Sequence, residues 1–401
     1  MNIDDVRGLL QLKVPDLDGA RRRLAACVTI GDLRRLARRR LPRSVFDYVD
    51  GGADEEIALR GNVAAFRKWR FRPSVLADVA SADLRTSVLG REAGAPLGFA
   101  PTGYTRMVDP IGEPAVAAAA ARAGIPYVLS TMATTSLEEL ARGPGGGADR
   151  WFQLYIWKDR ALTREMIARA AESGYRVLEV AVDTPVSGYR TRDVRNGFTV
   201  PPSVTFGALL DIGSRPRYWR RMLGAPALRF ANVGGGSGGS IASITDQFDP
   251  SVTWSDLSQV RAVWPGKLVL KGPIGPADAV RAMDLGVDGV HLSNHGGRQL
   301  DRTVPPIDLV APVRAAIGAS PTILVDSGIR HGADIATALA LGADAAFTGR
   351  AYLWGLAAGG HAGVVKAADL LTTQLRRTMQ LLGVTSIPQL RREGPDLLDA
   401  S

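Results

Sequence analysis

Short runs of apolar residues recur along the chain from about residue 95, and most are followed by an alanine-rich stretch with helical spacing. The eight runs are 96–100, 126–130, 151–155, 177–182, 268–271, 289–293, 323–326 and 345–349. Strands that alternate with helices are typical of a parallel sheet with right-handed crossovers. Eight consecutive units of this kind predict an α/β fold, a closed (β/α)₈ barrel of the TIM type.

The spacing of the runs is regular except after the fourth, where the next run begins only at Leu268. Long loops in a barrel lie at the carboxyl ends of the strands, the face that carries active sites. We therefore predict an insertion at about 184–260. The glycine-rich run 234–239 within it is expected to be a mobile surface tip.

Residues 30–70 have the spacing of helices, and they precede the first strand of the barrel. The predicted organisation has three parts. A helical extension over 1–94 packs on the barrel, the barrel occupies 95–385, and a C-terminal tail follows over 386–401.

The composition is that of a folded protein, with 46% hydrophobic and 22% charged residues. Cys27 is the only cysteine, which excludes a disulfide framework. No run of 18 apolar residues and no secretory signal is visible, so a cytoplasmic location is expected.

A net charge of +9 is compatible with a nucleic acid, an anionic membrane or an anionic substrate as partner. No helix-turn-helix, zinc-finger or RNA-binding signature is present, and no nucleic-acid partner is predicted. One cluster combines basic and aromatic residues, namely Arg215, Arg217, Tyr218, Trp219, Arg220 and Arg221. Such a cluster suits an interfacial helix, so weak peripheral contact with the inner membrane face stays open.

Polar residues follow the last five predicted strands, where a barrel places its chemistry. They are Asp183, Lys271, His295, Arg298, Asp326, Arg330 and Arg350. A histidine suits proton abstraction near neutral pH, and Asp183 could stabilise its imidazolium. The structural alternative for Asp183 is a capping residue before Thr184.

Two consecutive strand ends pair glycine with arginine: Gly328 with Arg330, and Gly349 with Arg350. Small residues let backbone N–H groups approach an anion, and guanidinium groups add charge-assisted hydrogen bonds. The last two loops of a barrel often bind phosphate. We therefore predict a phosphate site at this part of the mouth and no metal site.

The run SNHGGRQLD at 293–301 resembles the signature of the FMN-dependent α-hydroxy acid oxidase and dehydrogenase family. The motifs LP at 41–42, FDY at 46–48, APTG at 100–103, FQLY at 152–155 and ALALG at 338–342 support the resemblance. It extends over about 28–385. The runs RDVRNG at 192–197 and FDPS at 248–251 are most similar to the actinobacterial-type, quinone-linked L-lactate dehydrogenase branch.

The resemblance implies a role for each matching residue. His295 would take the hydroxyl proton of an (S)-2-hydroxy acid while hydride passes to flavin N5, with Asp183 stabilising the protonated ring. The residues implied to contact substrate are Arg190, Arg298, Tyr48, Tyr155 and Met132, the last of these in the side-chain pocket with Tyr104 and Ser187. The residues implied to contact FMN are Pro101, Thr102, Gly103, Ser130, Gln153, Ala181, Lys271, Ser293, Asp326, Gly328, Arg330, Gly349 and Arg350.

Two residues of the fourth strand depart from the family pattern. Ala181 stands where the family usually has a threonine that contacts the flavin. Glu179 shares a strand face with Ala181 and Asp183, and that face points into the barrel. A lone carboxylate there needs a partner or a proton. A local bulge or a water-filled pocket would explain it, and so would a site retuned for another substrate or reaction.

The leading hypothesis is an FMN enzyme that oxidises L-lactate or a related acid to the 2-oxo acid, with oxygen or quinone as electron acceptor. The alternatives are a specialised oxidase of a larger, mandelate-type acid, a retuned flavoprotein, a barrel isomerase of a phosphorylated substrate, and an inactive flavin- or phosphate-binding scaffold. The resemblance also implies a homo-oligomer, as relatives are often tetramers.

Overall fold

The computed structural model describes residues 17–143, 147–197, 211, 213–226, 228–233 and 247–400. Within them the strands are β1 (Trp69–Phe71), β2 (Thr86–Val88), β3 (Arg91–Ala93), β4 (Leu97–Phe99), β5 (Pro126–Ser130), β6 (Asp149–Leu154), β7 (Val177–Ala181), β8 (Lys267–Gly272), β9 (Gly289–Leu292), β10 (Thr322–Val325), β11 (Ala345–Thr348) and β12 (Leu398–Ala400).

Eight of these strands, β4 to β11, form one closed barrel in which every neighbouring pair is parallel. The strands are buried almost throughout, which explains why each reads as a continuous apolar run in the sequence. Each of the eight predicted runs overlaps one of them. The predicted (β/α)₈ barrel is confirmed.

The described helices are α1 (Gly19–Ala25), α2 (Ile30–Arg40), α3 (Arg43–Asp50), α4 (Ile57–Ala65), α5 (Thr105–Val108), α6 (Gly112–Ala123), α7 (Leu137–Arg142), α8 (Arg160–Glu172), α9 (Thr191–Arg195), α10 (Pro216–Met222), α11 (Trp254–Val263), α12 (Pro276–Asp284), α13 (Pro306–Ile317), α14 (Gly332–Ala340), α15 (Arg350–Leu382) and α16 (Ile387–Leu397). Several begin after a side-chain cap, including Thr29 before α2, Ser136 before α7 and Asp159 before α8. These caps satisfy backbone N–H groups that have no partner within the helix.

The barrel interior is filled by one face of each strand. Trp151, Val269, Leu324 and Phe347 belong to one buried apolar cluster there. A Cβ atom on Gly98 would lie 2.3 Å from the ring of Phe347, so only glycine leaves room for this aromatic side chain. Residues of the β2–β3 hairpin belong to the same cluster, so the hairpin closes the end of the barrel remote from the strand carboxyl ends.

The segments on either side of the barrel contact each other. β1, which follows the N-terminal helices, pairs antiparallel with β12 at the other end of the chain. The segment predicted as a tail, 386–401, therefore contains the helix α16 and a paired strand. The helices found within 30–70 agree with the helical spacing there, whereas the three domain boundaries stay predictions.

The predicted insertion contributes α9, α10 and most of α11, while its glycine run 234–239 lies outside the described residues. Part of the basic and aromatic cluster faces the protein. The Tyr218 hydroxyl donates to the carbonyl of Met107 at 2.7 Å, and Arg221 pairs with Asp109 at 2.7 Å. No helix among the described residues is both long and apolar enough to cross a bilayer.

Candidate active site

A cavity of about 280 Å³ lies at the carboxyl ends of the barrel strands. It is lined by most of the residues predicted for the site, namely Tyr48, Pro101, Thr102, Gly103, Ser130, Met132, Gln153, Tyr155, Ala181, Arg190, Lys271, His295, Arg298, Asp326, Gly328, Arg330, Gly349 and Arg350. The two remaining residues lie behind this wall. Asp183 contacts His295, and Ser293 contacts Lys271.

His295 and Asp183 form a close pair, with 3.1 Å between imidazole Nδ1 and carboxylate Oδ2. Burial alone would raise the pKa of Asp183, but His295 and Lys271 outweigh it and hold that pKa below its usual value. The ionised carboxylate only accepts hydrogen bonds, so Nδ1 donates and the neutral ring keeps Nε2 as an acceptor. His295 is 24% exposed and lines the cavity, so it can accept a proton there.

The loop that carries His295 is fixed by the other residues of the 293–301 signature. Asn294 and Asn62 exchange two buried amide hydrogen bonds of 2.7 and 2.8 Å. Gln299 donates to the carbonyl of Asp183, and Asp301 accepts from the first backbone N–H groups of α4. His295 itself has a left-handed φ of +58°, a conformation that residues other than glycine rarely adopt. The signature therefore maintains a strained backbone beside the cavity.

Two arginines face Tyr48 on one side of the cavity. The guanidinium carbon of Arg298 lies 5.0 Å from the centre of the Tyr48 ring, and that of Arg190 lies 5.8 Å from it. Burial, and then Arg190, lower the pKa of Arg298 to about 9. A buried cation of this kind is stabilised by an anion, and two planar guanidinium groups suit a carboxylate.

Tyr155 also lines the cavity and is almost fully buried, packed edge-on against Phe248 at 5.3 Å between ring centres. Burial, with a further contribution from Asp183, raises the pKa of the Tyr155 phenol well above its ordinary value. Tyr155 is therefore a neutral hydroxyl that can donate a hydrogen bond to an oxygen in the cavity.

Lys271 places a buried ammonium group on the cavity wall. Its Nζ donates to Ser293 Oγ at 2.7 Å and lies 3.4 Å from Asp326 Oδ2. Burial opposes the charge, but Asp326, Asp183 and Glu179 outweigh it and raise the pKa of Lys271. The group therefore stays cationic and can stabilise negative charge that develops in the cavity.

The end of the cavity at β10 and β11 has the character of an anion site. Burial lowers the pKa of Arg330 to about 10, and burial with the charge of Arg330 lowers that of Arg350 to about 9. In the described part of the chain neither guanidinium forms an ion pair with a carboxylate. A Cβ atom on Gly328 would lie 2.3 Å from the Asn62 carbonyl oxygen, so this turn requires glycine.

FMN fits the donors that the cavity presents. The amide Nε2 of Gln153 and the hydroxyl of Thr348 are buried polar atoms on the cavity wall, and neither has a hydrogen-bond partner among the described residues. Donors buried in this way usually have a partner when the site is complete. An isoalloxazine offers carbonyl and ring-nitrogen acceptors to the amide and to Lys271. The negative charge of its phosphate would pair with the guanidinium groups of Arg330 and Arg350, which follow β10 and β11.

Some cavity residues were missed from the sequence. Phe230 and Phe248, both from the insertion, line the cavity, as do Met132, Tyr104 and Ser187 of the predicted side-chain pocket. Phe248 belongs to the FDPS run that supports the resemblance, but nothing in that run indicates a cavity contact. No sequence signal marks Phe230.

A second cavity, of about 330 Å³, adjoins the first. The two share Tyr155, Ala181, Thr184 and Phe248 as lining residues. Most other residues around the second cavity are apolar and include Ile156, Val252, Trp254, Leu257 and Leu270. Only a few side chains therefore separate the predicted substrate pocket from further apolar space.

The interior carboxylate of Glu179 has the partner that the sequence left unidentified. His291 Nδ1 lies 2.7 Å from Glu179 Oε2, and both side chains are fully buried inside the barrel. A local bulge is not needed, since β7 continues in register from Val177 to Ala181 beside β8. Whether the site is retuned for another reaction stays a hypothesis.

Comparisons with known proteins identify the family of the chain. A model of the family described as FMN-dependent dehydrogenase matches residues 37–396. A Mycobacterium tuberculosis protein named "Putative L-lactate dehydrogenase" is 46% identical over an alignment that covers 98% of this chain and 97% of that protein. An L-lactate oxidase from Nostoc is 39% identical over 369 residues, 92% of this chain and 97% of its own.

Among solved structures, that of the monotopic membrane protein (S)-mandelate dehydrogenase superposes with a TM-score of 0.89 at 39% identity, over 94% of this chain and 100% of that one. Fold and site thus define a flavin-dependent barrel oxidoreductase. The chain belongs to the FMN-dependent dehydrogenase family. The predicted family, the FMN cofactor and the enzyme class, a 2-hydroxy acid oxidoreductase, are confirmed.

Proposed function

We propose that the protein oxidises L-lactate, or a closely related (S)-2-hydroxy acid, to the 2-oxo acid. The observation that carries the proposal is that His295, held by Asp183 behind it, lines one cavity together with Arg190, Arg298 and Lys271. A base, a carboxylate site and a fixed cation are what this oxidation requires. The relatives named for L-lactate support lactate as the first substrate to test.

The roles of the side chains follow from their surroundings. Arg190 and Arg298 bind the substrate carboxylate, while the neutral Tyr155 hydroxyl donates to a substrate oxygen. His295 accepts the α-hydroxyl proton at Nε2, and the resulting imidazolium is stabilised by Asp183 through Nδ1. FMN, held by Gln153, Lys271 and the arginines at β10 and β11, supplies the hydride acceptor when bound.

Anaerobic mixing with L-lactate tests this proposal. The oxidised flavin spectrum of the purified protein should bleach on addition of L-lactate, and D-lactate, with the opposite configuration, serves as the control. If no acid in a panel of (S)-2-hydroxy acids bleaches the flavin while dithionite does, the proposed function is wrong.

A larger, mandelate-type acid is the second candidate substrate, and the second cavity favours it. Phe248 lines both cavities, so Phe248→Ala should join them and accept a longer apolar side chain. We expect the ratio of kcat/KM for mandelate to that for lactate to rise about 10-fold or more, from apolar burial of the added ring. Steady-state kinetics with both acids measures this ratio, and Phe71→Ala, outside both cavities, is the control. An unchanged ratio would show that Phe248 does not limit the pocket.

The electron acceptor is proposed to be a quinone or oxygen. The relatives include both a dehydrogenase and an oxidase, so both acceptors stay candidates. Reoxidation of the substrate-reduced protein by oxygen and by a soluble quinone, followed in parallel, distinguishes them.

The proposed oligomeric state rests on the resemblance to relatives, and the proposed membrane contact rests on exposed side chains of this chain and on one structural neighbour. A homo-oligomer, such as a tetramer, stays a prediction. Peripheral membrane contact is supported by the exposed residues Arg217 and Arg220 of α10 and Leu223 directly after it, and by the monotopic membrane protein among the structural neighbours.

A further inference from the structure

Four ionisable side chains form a continuous buried line inside the barrel, beneath the cavity. Glu179 on β7 contacts His291 on β9, with 2.7 Å between Oε2 and Nδ1. His291 Nε2 lies 3.4 Å from Asp326 Oδ2, and that same oxygen lies 3.4 Å from Lys271 Nζ. Glu179 and His291 are fully buried, and Asp326 and Lys271 are nearly so. Only the last two reach the cavity.

The surroundings of this line make its charge balance important. The ring of Phe347 lies 4.9 Å from that of His291, and Phe347 belongs to a buried apolar cluster together with Trp151 and Val269. Glu179 Oε1 has no hydrogen-bond partner among the described residues. Uncompensated charge in such an environment is costly, so the line is expected to be close to neutral.

A neutral line needs one proton more than the four side chains hold when both carboxylates are ionised, the lysine is protonated and the imidazole is neutral. Two ionised carboxylates and one ammonium group leave a net charge of −1. A proton on the Glu179–His291 pair removes it, and the His291 ring lies between two carboxylates, 2.7 Å from that of Glu179 and 3.4 Å from that of Asp326. The remaining ionisable pair nearby, Asp183 with His295, lies at the strand ends and belongs to the active site.

We propose that the Glu179–His291 pair is a positioning unit that partly neutralises Asp326 and thereby sets the positive field that Lys271 presents to FMN. The proposal rests on the FMN cofactor and is independent of the substrate. With a cationic His291, Asp326 is shared between two cations, and the charge on Lys271 is less cancelled. With a neutral ring, Asp326 acts on Lys271 alone, and the cavity becomes less favourable to the negative charge of a reduced flavin.

The ion pair around Asp326 supports this sharing. Burial alone would raise the pKa of Asp326, but Lys271 and then His291 outweigh it and hold the pKa at about 2. Asp326 is therefore a fixed anion that responds to both cations. Its second oxygen accepts from the Ser327 hydroxyl at 2.6 Å, so the carboxylate cannot turn away from either of them.

The reduction potential of the bound flavin tests the proposal without any substrate. Glu179→Gln removes the counter-ion of His291, and His291→Leu removes the cation itself. We expect each variant to lower the midpoint potential, measured by equilibration with a reference dye. The double variant should shift the potential no further than one single variant, because the two residues act as one unit.

Glu113→Gln is the matched control. Glu113 is an equally buried carboxylate, but it accepts hydrogen bonds from the hydroxyls of Thr134 and Thr135 outside the barrel interior. Among the described residues, no hydrogen bond or ion pair links it to Lys271. The FMN content and the thermal unfolding of every variant are measured alongside. A purely structural role for Glu179 would change unfolding and leave the potential equal to that of the Glu113→Gln control, and this result would overturn the proposal.

His291→Gln separates charge from hydrogen bonding. Glutamine can still donate to Glu179 but carries no positive charge. The proposal expects this variant to have the lowered potential of His291→Leu. A wild-type potential in His291→Gln would show that the hydrogen bond alone matters, and the charge-sharing role would be wrong.

Discussion

Replacing His295 with asparagine is expected to slow the reduction of bound flavin by substrate about 10²–10⁴-fold, the contribution of a positioned general base. Asparagine is chosen because it tolerates the left-handed backbone that His295 adopts at φ +58°. The change therefore removes the proton acceptor with little effect on the loop. Anaerobic stopped-flow measurement of flavin bleaching gives the rate directly.

The His295→Asn variant should still bind FMN, because all the predicted cofactor contacts except Ser293 lie on other strand ends. Asp183 loses its main favourable partner, so its pKa should rise above that in the wild type, because burial is then opposed chiefly by Lys271. His361→Asn, an exposed substitution on α15, controls for the loss of a histidine. A rate of flavin reduction within 10-fold of the wild-type rate would show that His295 is not the base.

The barrel could be predicted because its signal is local. Each strand is buried on both faces, so it appears in the sequence as a short apolar run, and eight such runs follow one another with helices between them. The site could be predicted for a related reason. Once the barrel is assumed, its closed geometry brings residues as distant as Tyr155 and Arg350 to one mouth.

What the sequence could not show depends on contacts across the barrel. Glu179 was recognised as unusual, but its partner His291 is 112 positions away and lies within an apolar run, where it reads as an ordinary interior residue. Phe230 and Phe248 come from the insertion, which has no periodic pattern to indicate which side chains turn towards the cavity. The helix α16 likewise follows the last barrel unit, in a segment predicted only as a tail.

Replacing Arg298 with methionine is expected to lower kcat/KM for the hydroxy acid about 30- to 1000-fold, because losing one partner of a buried charge pair costs about 2–4 kcal/mol. The lowered pKa of Arg298, about 9, shows a guanidinium destabilised by burial that gains from a bound carboxylate. Steady-state kinetics at pH 7 measures the loss. Arg302→Met, an exposed arginine on the same loop, is the matched control.

Recognition of the carboxylate charge can be distinguished from a general loss of activity by comparing the hydroxy acid with its uncharged amide. Wild-type protein should prefer the acid strongly, whereas the Arg298→Met variant should lose most of that preference, because its loss concerns the carboxylate alone. Arg298 also donates to the carbonyls of Tyr48 and Gly51, at 2.5 and 3.2 Å, so a structural defect would slow both substrates equally. Since Arg190 remains beside Tyr48, a residual preference for the acid is expected, and Arg190→Met in the same background should abolish it. An undiminished preference in the double variant would place the carboxylate elsewhere in the cavity.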